Sequence, residues 1–338
     1  MIKELIAKLA EGSAITREEA HAAMTEIMGG EATPAQIASY ITALRIRGES
    51  AEVIAGSAAG MREKFTAVHA PGEIIVDTCG TGGDGAHTFN ISTASAFVTA
   101  GAGITVAKHG NRSVSSKCGS ADVLAALGVK IDCPAAVMDR CLAEIGIAFL
   151  FAPTLHPAMK FAIGPRREIG IRSIFNILGP LSNPAGARHG VLGVYHESLV
   201  TTLAQASATL GAKHLFVVHG RDGLDEITTT AASLIGEVRD GEVRVYELKP
   251  GDLGLPVASI HDLVGGDPAQ NAEIVRAILA GEKGPKRDIV LVNSAAAIVA
   301  GGKARDLKEG LSVAAQSIDS GAARAKMEKL AEMSNKAE

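Results

Sequence analysis

Four stretches of this chain hold residues whose types and spacing can do chemistry. The first, DTCGTGGDGAHTFNIST at 77–93, places four glycines (Gly80, Gly82, Gly83, Gly85) within six residues, just after the apolar run Ile74-Ile75-Val76. Bare backbone lets N–H groups approach an oxyanion closely, and a helix beginning just downstream adds its dipole. Asn90, Ser92 and Thr93 supply amide and hydroxyl groups at that helix start. Asp84 is out of place in a pure phosphate cradle; it suits a ligand that also carries sugar hydroxyls or a metal. Gly80, Gly82 and Gly85 formally satisfy GxGxxG, but the context fails. The helix does not open at the glycines, and the next strand ends in Lys108, where a dinucleotide site needs an acid for the ribose. No Gly-Lys-Ser/Thr closes a Walker loop.

The second stretch is KHGNRSVSSKCGSADVLAALG, 108–128. Lys108, His109, Asn111 and Arg112 crowd a strand end, where open α/β sheets bind ligands. Ser113, Ser115, Ser116 and Ser120 add donors. A basic strand end beside an anion cradle suggests a ligand with two phosphate-like groups. The third, 156–187, is rich in glycine and proline and basic at Lys160, Arg166, Arg167 and Arg172. It reads as a functional loop in which an arginine forks onto a carboxylate. In the fourth, HLFVVHGRDGLDEI at 214–227, a buried strand runs into Asp222, Asp225 and Glu226. Adjacent carboxylates repel each other, and Mg²⁺ is commonly held by one or two of them plus substrate phosphate oxygens. No Ser-His-Asp elbow or cysteine nucleophile stands out, which points to catalysis by positioning and electrostatics.

These residues need elements to hold them. Residues 1–66 read as helices with capping signals: Thr16 with Glu19, Thr33 before Pro34, and stops at Gly29-Gly30 and Gly48. From about residue 74 short apolar runs alternate with helical patterns. EIIVDTCG, ITVAKHG, GVLGVYH, HLFVVHG and IVLVN read as strands, and GEVRDGEVRVYEL as a hairpin turning on Asp240-Gly241. Helices end the chain. The fold class is therefore α/β: a small all-helical domain, then a large α/β domain around a mainly parallel central sheet covered on both faces.

Composition narrows the function classes. With 47% hydrophobic, 3% aromatic and no Trp among 338 residues, the core is built from small and branched aliphatics, which suits helices on a parallel sheet. A net charge of −4 gives no bulk attraction to nucleic acid or an anionic membrane. Cys79, Cys118, Cys133 and Cys141 lack metal-type spacing and read as reduced, buried thiols. The amphipathic start MIKELIAKLAEG is not a secretory signal, and the uncharged span 88–107 is too polar to cross a membrane. The expected location is the cytoplasm.

Taken together, in order and spacing, DTCGTGGDGAHTFNIST, AKHGNRSVSSKCGSADVLAALG, GPRREIGIRSIFNILGPLSNPA and HGRDGLDEI resemble the anthranilate phosphoribosyltransferase family over essentially the whole chain. The resemblance implies a nucleoside-phosphorylase-like fold, with a 1–66 helical domain that dimerises and forms part of the acceptor site, and a 67–338 catalytic domain. It implies transfer of the phosphoribosyl group of 5-phosphoribosyl 1-diphosphate to the amine of anthranilate. Gly80, Gly82, Gly83, Asp84, Thr88, Asn90, Ile91, Ser92 and Thr93 would hold the donor, completed by Lys108, Asn111, Arg112, Ser116 and Ser120. Ser92, Asp225 and Glu226 would bind two Mg²⁺ per monomer. Gly80, Asn111 and Arg166 would meet anthranilate, Arg166 near its carboxylate. Catalytic roles would fall to Lys108, His109, Asn111 and Arg166, with a homodimer as the assembly and a closing hinge near 66–73.

Three rivals remain at this level. A pyrimidine nucleoside phosphorylase shares the implied fold, but a nucleoside plus free phosphate needs no clamp like Asp225-Glu226. A non-catalytic nucleic-acid-binding relative would need a basic surface. A dinucleotide oxidoreductase is disfavoured by Lys108.

Overall fold

The computed structural model describes residues 1–113 and 117–336. Four helices come first: α1 (Ile2–Ala10), α2 (Arg17–Gly29), α3 (Pro34–Arg47) and α4 (Ala51–Arg62). Both expected capping boxes form. Thr16 Oγ1 accepts from the Glu19 N–H (3.2 Å) while Glu19 accepts from the Thr16 N–H (2.7 Å), and Thr33 and Gln36 repeat the exchange. Two more orphan donors per helix start are thereby satisfied.

The chain then enters β1 (Ile75–Gly80), α5 (Ile91–Gly101), β2 (Thr105–Gly110), α6 (Ser120–Ala126), α7 (Ala135–Ile145) and β3 (Ile147–Phe151). Three helices follow: α8 (Ala152–Leu155), α9 (Lys160–Ile169) and α10 (Phe175–Leu178). The sheet resumes with β4 (His189–Gly193), α11 (Ser198–Thr209), β5 (His214–Gly220), β6 (Ser233–Arg239) and β7 (Glu242–Leu248). Helices α12 (Pro268–Leu279), α13 (Pro285–Ala300), α14 (Leu307–Asp319) and α15 (Ala322–Ser334) complete it.

Among the described residues the strands form one sheet, ordered β3-β2-β1-β4-β5-β6-β7. The first five are parallel, and β6 and β7 add an antiparallel hairpin turning on Asp240 and Gly241, both at positive φ. The parallel order reverses beside β1, so the loops after β1 and β4 diverge and open a crevice there.

One apolar core lies between the sheet and α5, α7 and α12–α15. A second joins the first four helices to α11 and to Leu192 and Val217 on the opposite face. Burial on both faces explains why the strands read as continuous apolar runs.

Three readings need correction. IVLVN at 289–293 lies inside α13, not in a strand. Its five-residue apolar run is ambiguous in isolation, but Gly284-Pro285 starts a 16-residue helix through it, buried nearly all round. Conversely IAFLF, entirely buried as β3, is a strand the sequence reading passed over. The stretch 156–187 is also more ordered than a loop: α9 runs through Pro165 and packs on α2 and α3.

Candidate active site

Strands β1, β2, β4 and β5 all end in glycine, at Gly80, Gly110, Gly193 and Gly220. Parallel register sets Gly80 beside Gly193, and the segment after β5 crosses both. A Cβ on Gly193 would lie 1.6 Å from the Asp225 carbonyl oxygen, and one on Gly80 2.5 Å from Asp225 Oδ2. Gly193 does not tolerate a side chain, because the backbone of the acidic segment rests directly on it, while at Gly80 only the Asp225 carboxylate would have to move. Gly193 was not picked out from the sequence. Its signal was a glycine inside a strand pattern, which marks a close backbone approach.

The glycine loop wraps the same acid. The Gly82 N–H donates to Asp225 Oδ2 (2.8 Å), and Gly82 and Gly83 sit at φ 63° and 80°, where a side chain would be strained. Arg172 donates to the Gly83 carbonyl (2.6 Å) and lies over the Tyr195 ring at 4.1 Å. Farther along, Thr88 pairs with Val264 and the Phe89 N–H donates to Leu263, pinning the loop to the segment before α12.

Asn90 precedes α5 without capping it. Its Oδ1 accepts from Asn271 Nδ2 (3.0 Å) and from the Cys118 thiol (3.3 Å), while its Nδ2 donates to the Cys118 carbonyl. Asn90 is therefore a strut between α5 and the loop before α6. Ile91 and Thr93 are buried, and Thr93 Oγ1 has no partner. The Thr93 N–H donates to Asn90. Ile91 and Thr93 belong to the buried surface of α5, which is packed on nearly all sides. Ser92, between them, faces the crevice.

Lys108 is 3% exposed. Its Nζ donates to the Thr78 carbonyl (2.5 Å) and to Ser92 Oγ (3.3 Å), so the ammonium stands under the start of α5. Burial pulls its pKa down, opposed by the nearby Asp77, Cys79, Glu226 and Asp225.

Asp225 and Glu226 keep only part of their surface open. Burial, then Asp84, pushes the Asp225 carboxyl up to about 7, against the pull of the Gly82 N–H. Glu226 is raised well above its ordinary value, by burial and then by Asp225, with Lys108 and the Ser92 N–H opposing. Two half-buried carboxylates this uncomfortable as anions make a strong cation demand. Among the described residues no three His, Cys, Asp or Glu side chains converge as a ready-made metal cage. The remaining ligands must then come from Ser92, water or the substrate.

The acidic segment is itself braced. Asn293 on α13, 2% exposed, accepts from the Ile227 N–H and donates to the Ile227 carbonyl, both at 2.9 Å. Asp222 accepts from the Thr228 hydroxyl (2.6 Å), from Thr230 and from the Leu224 N–H (3.2 Å). Neither brace was foreseen; Asn293 is more than 60 residues away in sequence and lies in the segment misread as a strand.

His109 points to the opposite sheet face from Lys108, as neighbours in a strand must. Its ring lies between the Gly179 carbonyl and His156 Nε2, each at 3.2 Å. Burial and His156 hold its pKa down to about 3, and burial alone holds His156 near 4. Both rings stay neutral, and His109 has both nitrogens engaged.

Asn111 and Arg112 are exposed after β2; Arg112 pairs with Asp122 (2.9 Å), and Ser120 donates to the Asn111 carbonyl (3.2 Å). Ser116, with Ser115, falls outside the described residues. Arg166, half-buried near the end of α9, lies 5.2 Å from the Phe175 ring. It has no hydrogen bond or ion pair among the described residues, and is therefore free to meet an anionic ligand.

Comparison with known proteins gives one family. A glycosyl transferase family a/b domain model matches residues 72–324, and a glycosyl transferase family helical bundle domain model matches 3–65. The chain is 57% identical to an anthranilate phosphoribosyltransferase of Anaeromyxobacter sp. (strain K), covering 98% of both proteins. It is 54% identical to that of Moorella thermoacetica, covering 97% of each. Among solved structures, the anthranilate phosphoribosyltransferase of Thermus thermophilus superposes with TM-score 0.93 at 39% identity, over 98% of this chain and 99% of that one. The Saccharomyces cerevisiae enzyme in complex with PRPP and Mg superposes with TM-score 0.90 at 27% identity, over 98% and 97%.

Proposed function

The chain belongs to the anthranilate phosphoribosyltransferase family, and from that membership we propose how its residues divide the work of the reaction. The enzyme transfers the phosphoribosyl group of 5-phosphoribosyl 1-diphosphate to the amino group of anthranilate, giving N-(5-phosphoribosyl)anthranilate and diphosphate in tryptophan biosynthesis. The observation that carries the residue assignment is the half-buried Asp225-Glu226 pair under a glycine loop, next to Lys108 and Ser92.

Asp225, Glu226 and Ser92 would hold Mg²⁺, two ions per monomer, and the raised carboxyl pKa values support a cation there. When bound, Mg²⁺ neutralises the charge that collects on the departing diphosphate. Lys108 has three ammonium hydrogens, and Thr78 and Ser92 take two; the third is left for a phosphate oxygen. The free amides of Gly83 to Gly85, with Asn111, Arg112, Ser116 and Ser120, cradle the rest of the donor.

Breaking the C1–O bond leaves positive charge on the sugar ring, which the amine nitrogen captures. That amine is an aniline, neutral near pH 7, so placement does more than deprotonation. No strong base is needed, consistent with the neutral His109 and His156. Arg166, without an anionic partner of its own, takes the anthranilate carboxylate.

We divide the chain into helical residues 1–66 and catalytic residues 67–338, with the connection at 66–73 as hinge. A homodimer through the helical part is supported by the apolar side chains of Ile46, Phe161 and Ile163, which stay exposed on the packed pair α3 and α9. No helix among the described residues is long and apolar enough to cross a membrane, and we place the enzyme in the cytoplasm.

The test is the loss of anthranilate fluorescence on adding the donor with Mg²⁺, then with EDTA. Mg²⁺-dependent loss is expected. Steady fluorescence in folded protein would overturn the assignment of acceptor and metal together.

A further inference from the structure

A second cavity lies against the other face of the sheet, bounded by Arg62 at the end of α4, Asn183, Arg188, His189 at the start of β4, and Ser207 on α11, with Asp77 in its wall. Its volume is about 40 Å³, space for roughly three waters. The lining is cationic and under-partnered. Arg62 donates through Nε to the Leu181 carbonyl (2.8 Å) and has no carboxylate partner among the described residues. Burial lowers the Arg62 pKa, and Arg188 is close enough to add to that. Ser207, 2% exposed, and His189 each bring a buried polar atom, Oγ and Nδ1, with no hydrogen-bond partner.

No arginine among the described residues donates to Asp77. Its two oxygens are taken by the His109 N–H (3.1 Å) and Asn183 Nδ2 (2.7 Å). The Cys79 thiol in the same wall is held protonated by burial, and neutral His189 can offer either a donor or an acceptor. A half-buried guanidinium without an anionic partner, an exposed one near it and two unpaired buried polar atoms leave hydrogen-bonding capacity that an anion would satisfy.

We propose that this cavity is a second anion site, separate from the catalytic crevice, that takes a tetrahedral oxyanion of the phosphate class between Arg62 and Arg188, with Ser207 and His189 completing its hydrogen bonds. The site joins the last residue of α4, the 181–189 segment and α11. The same seam carries the bond from the Val68 N–H to the Pro184 carbonyl, so occupancy ties the helical bundle to the sheet.

The experiment is thermal unfolding of the full chain against inorganic phosphate, in EDTA and at ionic strength fixed with sodium chloride. Phosphate is expected to raise the midpoint by mass action, and chloride is not. Arg188→Gln changes an exposed residue with no side-chain partner among the described residues, so folding is not in question. Losing one charge-assisted contact should weaken phosphate by about ten- to a hundredfold. Ser207→Ala should weaken it by about threefold to tenfold, and turnover should stay at the wild-type level in both variants. An absent midpoint rise, or an unchanged phosphate dependence in Arg188→Gln, would overturn the proposal.

Discussion

Replacing Gly193 by alanine tests whether the acidic segment must touch the strand end. The added Cβ would sit 1.6 Å from the Asp225 carbonyl oxygen and 2.7 Å from its carbonyl carbon, against an ordinary contact distance of 3.4 Å or more. The Asp225 backbone must therefore retreat by about 1.8 Å, since the strand itself is locked between β1 and β5. A misplacement of about 1 Å costs on the order of 100-fold in rate, which is about 2.7 kcal/mol of transition-state stabilisation. The expected result is a fall in kcat/KM of at least that size, with a higher Mg²⁺ requirement. Gly80→Ala is the internal comparison. Its Cβ meets only the Asp225 carboxylate end, at 2.5 Å, which a side-chain rotation relieves at the expense of the Gly82 bond. The assay is steady-state anthranilate fluorescence over a Mg²⁺ titration, with circular dichroism to confirm folding. Wild-type kcat/KM and Mg²⁺ dependence in Gly193→Ala would refute the claim that this contact sets the site.

Other outcomes are as specific. Changing Asp225 and Glu226 together to alanine should abolish Mg²⁺-dependent turnover in folded protein; retained activity would sink the metal assignment. The Asp225 carboxyl, raised from 3.8 to about 7, keeps a proton that the unfolded chain releases. Metal-free stability should therefore fall as pH rises between about 4 and 7, by denaturant unfolding, and Asp225→Asn should flatten that fall; a slope of the opposite sign refutes the burial argument. Arg166→Ala should raise the anthranilate KM by about ten- to a hundredfold while leaving the donor KM within about twofold; equal effects on both would move Arg166 off the acceptor. Asn293→Leu should weaken Mg²⁺ by about tenfold to a hundredfold, read as the half-saturating Mg²⁺ for turnover, and an unchanged value would show that the Ile227 clamp is not what holds Glu226.

Much of the molecule was legible in the chain because local physics wrote it there. The capping boxes at Thr16 and Thr33, the hairpin at Asp240-Gly241 and the alternation that makes a parallel sheet depend on residues a few positions apart. The glycine loop, Lys108 at a strand end and the adjacent acids Asp225 and Glu226 were visible for the same reason. Where apolar runs were short the reading failed: IVLVN and IAFLF have equal claims to be strands, and only the surroundings of α13 and β3 separate them.

The sequence by itself determined which groups the site has and which ligand chemistry they suit. The tertiary structure decided which of those groups face the crevice. Alternation along β2 sends Lys108 to the Thr78 carbonyl and Ser92, and His109 into a neutral pair with His156, and packing around α5 buries Ile91 and Thr93 while Ser92 stays partly open. It also decided which distant residues brace the site: Gly193, Arg172, Asn271 and Asn293 meet it only because parallel strands, joined by long crossovers, bring together segments from far along the chain. Such contacts are fixed by packing across the sheet, and packing between remote segments leaves no local pattern to read.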